Sequence, residues 1–360
     1  MLLTLSATCL AKSTHHTLDS VMLACRSARS VARPARAAAR CATAARCATA
    51  RATDELTSAQ YLFDLHGYVV VPRVFSDAEI DRGNAAIDER VARDLHERSG
   101  KLNLSNAYGV KSRALTGAKG RFDMGGMLGW PAPHRDLFRA MLAHPRLVPY
   151  YHMFVGAGYR LDHLPFLIRM EKGSEGHAFH GGAVTPHGAP AWPLGYQCAH
   201  GEVRCSLLAV SLCLTDVAPG DGGFCIVPGS HKANFACPPA MLAYEAHEER
   251  VVQPSLRRGD VVMFTEAATH GTLPWTADAE RRTVIYRFSP AGSAYGRGYL
   301  EDPAAELEDL APEHAAVMQP PYHPRLDRAH VDESGTYAPP PPREDYKKEF
   351  DKKVFGKQYF

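Results

Sequence analysis

Hydrophobic positions change their period along the chain, and the change predicts where helices give way to strands. A short helical stretch from Thr57 leads into the apolar strand Gly67-Tyr68-Val69-Val70-Val71. Ser76-Asp77-Ala78-Glu79 has the form of a capping box, in which the serine hydroxyl accepts from the Glu79 amide and Glu79 reaches back. Behind it Ile80, Ala85, Ile87, Val91 and Leu95 recur near helical spacing, which predicts a helix to about Arg98. A second helical stretch is expected from Pro133 to about Val155, with Leu137, Met141, Leu142, Leu147 and Tyr151 apolar.

From about residue 158 short apolar runs between Gly/Pro turns replace the helical period. They are Phe166–Met170, Leu207–Leu214, Phe224–Val227, Asp260–Phe264 and Thr283–Phe288. Short strands separated by turn signals belong to sandwiches and barrels. Helices first and strands afterwards predict a mainly β fold, a jelly roll braced by N-terminal α-helices, over residues 53–300. Residues 301–360 read as an extension, Pro-rich at Pro339–Pro342 and Lys-rich from Lys347.

Composition narrows the function. Of 360 residues 45% are hydrophobic and 22% charged, ordinary values for a globular protein. No apolar run approaches the roughly 20 residues of a membrane span. The net charge of +2 hides an asymmetry: Lys12 and seven arginines stand against Asp19 alone in residues 1–52, a balance of +7 that leaves the rest at −5. A mildly acidic body is the opposite of what a nucleic-acid binder presents. The Ala-, Arg- and Ser-rich, acid-poor start has transit-peptide composition, which predicts delivery to a mitochondrion or plastid; without it the chain would stay in the cytoplasm. The five body cysteines show no C-x-x-C spacing and are expected to be buried free thiols.

Three segments carry chemistry. In Gly259-Asp260-Val261-Val262-Met263-Phe264-Thr265-Glu266-Ala267-Ala268-Thr269-His270-Gly271-Thr272 an apolar strand is read as ending at a histidine, where a strand end can hold an imidazole over a barrel mouth for a divalent metal. Eleven residues later Arg281 opens the next strand, and its guanidinium suits a small carboxylate. Ninety residues upstream of His270, His177-Ala178-Phe179-His180-Gly181-Gly182 supplies a second histidine, His180, that could share the metal. Between them, Leu212 to Lys232 reads as strand, Gly turn, strand and Pro-Gly turn, the pattern of a hairpin.

Together these segments resemble the phytanoyl-CoA dioxygenase family. The Leu-Thr-Asp-Val to Pro-Gly-Ser-His-Lys unit, the Gly-Asp-Val-Val-Met-Phe strand, His270-Gly271-Thr272 and Arg281 carry the likeness, which extends over roughly residues 57–290. The resemblance implies a cupin-like double-stranded β-helix, Fe(II) and 2-oxoglutarate as cofactors, and oxidation, most simply hydroxylation, of a small organic substrate. By position His180 and His270 match iron ligands. Arg281, helped by Thr272, matches the group that takes the far carboxylate of 2-oxoglutarate.

One position departs from the pattern. The family's acid two residues after the first histidine is Gly182 here, and a facial triad needs a carboxylate. Chloride could occupy the vacancy, as in related 2-oxoglutarate-dependent halogenases. Another acid could reach the metal: Glu266, or more weakly Glu171, Glu175 or Asp221. In a continuous strand Glu266 and His270 would lie about 13 Å apart at Cα, too far unless the chain bends. The site could also be a binding site without turnover. Phe179, Trp192, Tyr196 and Trp275 are candidates to line an apolar pocket or to belong to the core.

Overall fold

The computed structural model describes residues 54–97, 104–185, 188, 191, 194–296, 307–322 and 328–357. The Arg-rich segment read as a transit peptide lies outside them, as does Trp192. Residues 54–66 form helix α1. There follow β1 (Tyr68–Val71), α2 (Asp77–Asp94), β2 (His96–Glu97), β3 (Phe122–Met124), α3 (Asp136–Ala140) and α4 (Val148–Phe154). The strand-rich region holds β4 (Arg160–Met170), β5 (His177–His180), β6 (Tyr196–Ala199), β7 (Glu202–Cys205), β8 (Leu208–Cys213) and β9 (Gly223–Ile226). After the short helix α5 (Pro239–Leu242) come β10 (Val261–Thr265), β11 (His270–Leu273) and β12 (Arg281–Ser289). The chain ends with α6 (Pro312–Met318), β13 (His330–Val331), β14 (Tyr337–Ala338) and α7 (Asp345–Phe355).

Two antiparallel sheets make the jelly roll. The larger runs β1-β10-β8-β12-β4-β3-β2 and the smaller β5-β11-β9. Alternation along the central strands gives the larger sheet two apolar faces. Val261 and Met263 of β10, Val210 and Leu212 of β8 and Val284, Tyr286 and Phe288 of β12 join one core with Phe63, Ile80, Phe138, Tyr151 and Phe154 of the helices. Val262 and Phe264, Ala209 and Cys213, and Ile285 point the other way and meet Ile226 of β9. Every residue of β8 and β10 is therefore buried, which explains why they read as continuous apolar runs. Val317 and Met318 of α6 and Val331 of β13 also enter the helix-side core.

The Ser76–Glu79 capping box forms with both reciprocal bonds and starts α2 at Asp77. Three expectations change. The helix expected over Pro133–Val155 is split into α3 and α4, because Pro145 has no amide to donate and disfavours helical backbone at His144. The expected hairpin is a crossing between sheets. Strand β8 already has β10 and β12 on its two edges, so β9 pairs with β11 in the smaller sheet. The strand read as ending at His270 ends at Thr265, and His270 begins a strand of the other sheet. Among the body cysteines Cys205, Cys213 and Cys225 are buried, Cys237 is half-buried and Cys198 is exposed, and all are free. No helix of the described residues is long and apolar enough to cross a membrane.

Candidate metal centre

The crossing from β10 to β11 builds the centre. Thr265 leaves the larger sheet in a turn: the Ala268 amide donates to the Thr265 carbonyl at 2.9 Å, and the Ala267 amide to the Thr265 hydroxyl at 3.2 Å. The turn folds Glu266 back toward His270, so their 13 Å strand separation never arises. Glu266 Oε2 lies 3.5 Å from His270 Nε2. Strand β11 pairs with β5 so that His270 stands directly opposite His180, with ring centroids 4.3 Å apart. One donor atom from each of His180, Glu266 and His270 lies within 4.8 Å of the others. An ion with bonds near 2.1 Å requires donors roughly 3–4 Å apart, so the cluster is close to a chelating set.

Protonation favours a cation. His180 Nδ1 contacts the Ala178 carbonyl at 3.0 Å and His270 Nδ1 the Ala268 carbonyl at 2.8 Å. A carbonyl only accepts, so each ring carries its proton on Nδ1 and leaves the Nε2 lone pair free. Burial pushes both imidazoles below their ordinary pKa, His180 strongly, and keeps them neutral. Burial alone would push the Glu266 carboxyl up. The Arg287 guanidinium, by its charge and its hydrogen bond, is the chief influence against burial, and the group is held below its ordinary value. The donor set is thus two neutral nitrogens and one anionic oxygen, the set that suits non-haem iron.

Glycines admit the turn. Gly181 has φ +80°, and a β-carbon there would lie 2.5 and 2.6 Å from the Ala268 and Glu266 carbonyl oxygens. At Gly182, φ +94° disfavours any side chain, and a β-carbon would meet the Thr269 hydroxyl at 3.3 Å. The other acids weighed from sequence are engaged elsewhere. Glu171 pairs with Lys119 and Arg169, Glu175 accepts from the Leu104 and Ser105 amides, and Asp221 accepts from the Ala218 amide.

A cavity of about 340 Å³ opens beside the cluster and is lined by Thr272 and Arg281 as well. Arg281, Thr283, Ile285 and Arg287 all line it, at every second residue of β12. Arg281 is buried, contacts Met170 Sδ at 3.4 Å, and pairs with no carboxylate among the described residues. Burial pushes its pKa down to about 10, so it remains a cation in want of an anion. Gly223 makes room for it, since a β-carbon there would lie 2.7 Å from Arg281 Nε.

Of the aromatic residues singled out from sequence, Phe179, Tyr196 and Trp275 do not line this cavity. Phe179 is buried against Tyr244, Trp275 donates to the Ala279 carbonyl, and the Tyr196 hydroxyl donates to Asp64. Phe166, Phe224 and Phe264 line it instead, with Tyr108 and Tyr295 exposed at its mouth. Tyr108 lies over His180 at 5.0 Å between ring centroids, with left-handed backbone at φ 58°. Arg287 had a readable signal, the period-two alternation from Arg281; Tyr108 sits in a segment without one.

The chain is similar in fold to three structures of HygX from Streptomyces hygroscopicus. The form with nickel, 2-oxoglutarate and hygromycin B bound is 21% identical, covers 67% of this chain and 89% of its own, and superposes with a TM-score of 0.54. The form with nickel and 2-oxoglutarate bound has the same identity and coverage and a TM-score of 0.53. The apo form, 21% identical over 67% of this chain and 88% of its own, has a TM-score of 0.50. No curated protein sequence matches the chain. The phytanoyl-CoA dioxygenase (PhyH) family model matches residues 63–283, well over half of the length. The chain belongs to the phytanoyl-CoA dioxygenase family, the non-haem iron oxygenases that depend on 2-oxoglutarate.

Proposed function

We propose that the chain is an active oxygenase whose iron is held by His180, His270 and Glu266, and that it hydroxylates a small organic molecule. The observation that carries this reading is the placement of the Glu266 carboxylate oxygen beside His270 Nε2, inside the histidine cluster. It supplies the acid that Gly182 lacks. The vacancy at Gly182 would also suit chloride, but a carboxylate already within the donor set favours oxygen insertion over halogen transfer.

Bound iron and 2-oxoglutarate together would reduce dioxygen, with one oxygen atom entering a substrate C–H bond and the other ending in succinate as carbon dioxide leaves. The chain's own groups position the reactants. Arg281 takes the far carboxylate of 2-oxoglutarate in a two-point clamp, and the Thr272 hydroxyl adds a donor. Phe166, Phe224, Phe264 and Ile285 exclude water around the reacting carbon. The substrate enters between Tyr108 and Tyr295. HygX was crystallised with hygromycin B, and the present cavity is likewise proposed to take a small molecule.

The test is anaerobic titration of Fe(II) into the full chain and into Glu266→Gln, followed by oxygen uptake with 2-oxoglutarate. One iron per chain in the wild type, severe weakening in Glu266→Gln and 2-oxoglutarate-dependent uptake are expected. Wild-type iron affinity in Glu266→Gln would remove Glu266 from the ligand set.

A further inference from the structure

Arg287 was not part of any motif, yet it is the group that touches Glu266 most closely. Its Nε donates to Glu266 Oε1 at 2.6 Å, with both side chains largely buried. The carboxylate's second oxygen, Oε2, is the one facing His270 Nε2 at 3.5 Å. The two oxygens therefore have different partners. Strand β12 fixes the arginine from both sides, since Arg287 is paired with Ala209 of β8 and His163 of β4. The pairing with β4 slips on either side of Arg287, between Ile285 and Arg287 and again before Phe288. Such irregularities re-aim a side chain, and they recur next to active sites.

We propose that Arg287 is a positioning residue that engages one oxygen of Glu266 and thereby presents the other, alone, to the metal. The inference rests on the reading of Glu266 as a ligand and extends it. A glutamate on a turn has three rotatable bonds, and both of its oxygens can compete for one ion. The arginine restricts that freedom before metal binds and balances the buried negative charge. An aspartate two residues after His180 would lie next to a ligand that β5 already fixes. A carboxylate delivered from the β10–β11 turn needs a second group to aim it, and Arg287 is that group. Outer partners of metal ligands commonly govern affinity by about ten- to a hundredfold.

The test uses Co(II) as the probe, titrated anaerobically into the full chain and read by affinity and by its visible ligand-field absorption. Arg287→Met should bind Co(II) about ten- to a hundredfold more weakly, with a displaced absorption band. Arg287→Lys, which keeps the charge but not the fork, should fall between the two. In a Glu266→Gln background Arg287→Met should cause no further weakening, because the arginine acts only through the glutamate. A purely structural ion pair would move the melting temperature and leave the cobalt spectrum of the folded protein unchanged. A folded Arg287→Met protein with wild-type affinity and spectrum overturns the proposal. So does additive weakening in the double variant. Should the methionine variant fail to fold, the lysine variant decides, and wild-type affinity and spectrum there overturn it equally. Wild-type Co(II) binding in Glu266→Gln would instead sink the ligand assignment beneath it.

Discussion

Replacing Arg281 by methionine should stabilise the protein and weaken its hold on 2-oxoglutarate at the same time. Burial lowers the Arg281 pKa from 12.5 to about 10. At about 1.4 kcal/mol per unit, that shift corresponds to roughly 3 kcal/mol against the folded state. At pH 7 the group is charged both folded and unfolded, so the whole penalty is present; it is relieved only as pH rises from 10 toward 12.5. Methionine preserves most of the stem, meets Met170 as an apolar neighbour, and carries no charge. A domain of this size gains about 2 °C in melting temperature per kcal/mol, so a rise of about 2–6 °C is expected after packing losses. Losing one partner of a buried, hydrogen-bonded charge pair costs about 2–5 kcal/mol, which is a roughly 30- to several-thousandfold weaker 2-oxoglutarate complex. Calorimetric titration of 2-oxoglutarate into the Ni(II)-loaded protein, with thermal melts of the same samples, measures both effects. Arg281→Lys should recover part of the affinity. Unchanged 2-oxoglutarate affinity in Arg281→Met, or a fall in stability with affinity retained, would show that the cation is structural.

Three further outcomes follow from other parts of the molecule. Gly182→Asp should lower oxygen uptake, because the left-handed backbone and the Thr269 hydroxyl 3.3 Å from a β-carbon leave the new side chain strained; a halogenated product made by the wild type in chloride and lost in this variant would favour the halide reading instead. His231 is pushed down to about 4 by burial, despite the Asp64 carbonyl contact at 3.0 Å, so it adds stability above pH 6.5 that is lost as pH falls toward 4. Melting temperature should therefore decline more steeply over that window in the wild type than in His231→Gln, and parallel declines would contradict the burial argument. A chain starting at Thr53 should melt with the full-length protein, while residues 1–52 fused to a fluorescent protein should enter a mitochondrion or plastid; a large loss on truncation, or a diffuse signal, would refute the transit-peptide reading.

The fold was legible where local physics decides. Ser76 and Glu79 formed the capping box their spacing requires, and the runs at Asp260–Phe264 and Thr283–Phe288 became β10 and β12 within a residue or two. What pattern could not supply was partnership. Leu207–Leu214 and Phe224–Val227, joined by a Gly-rich turn, read as a hairpin, yet both edges of β8 are taken by strands distant in sequence. Apolar alternation reports which face of a strand is buried and says nothing about which strand lies beside it.

The metal centre follows the same division. His180 and His270 were readable because each begins or ends an apolar segment, and Arg281 because it opens β12. Glu266 was discounted on an extended-chain distance, and the discount failed at one local feature. The turn from Thr265 to Ala268 is invisible to hydrophobic period, because Ala267 and Ala268 are apolar and continue the strand pattern by eye. Its signal lies elsewhere, in Gly181. Gly181 leaves no β-carbon where the Glu266 and Ala268 carbonyls pass, and Gly182, where the acid is expected, follows it with left-handed backbone against the Thr269 hydroxyl. An acid placed at 182 would have to take left-handed backbone and press on the Thr269 hydroxyl, one residue from His270, which is why Gly182→Asp should lower oxygen uptake and not repair the site.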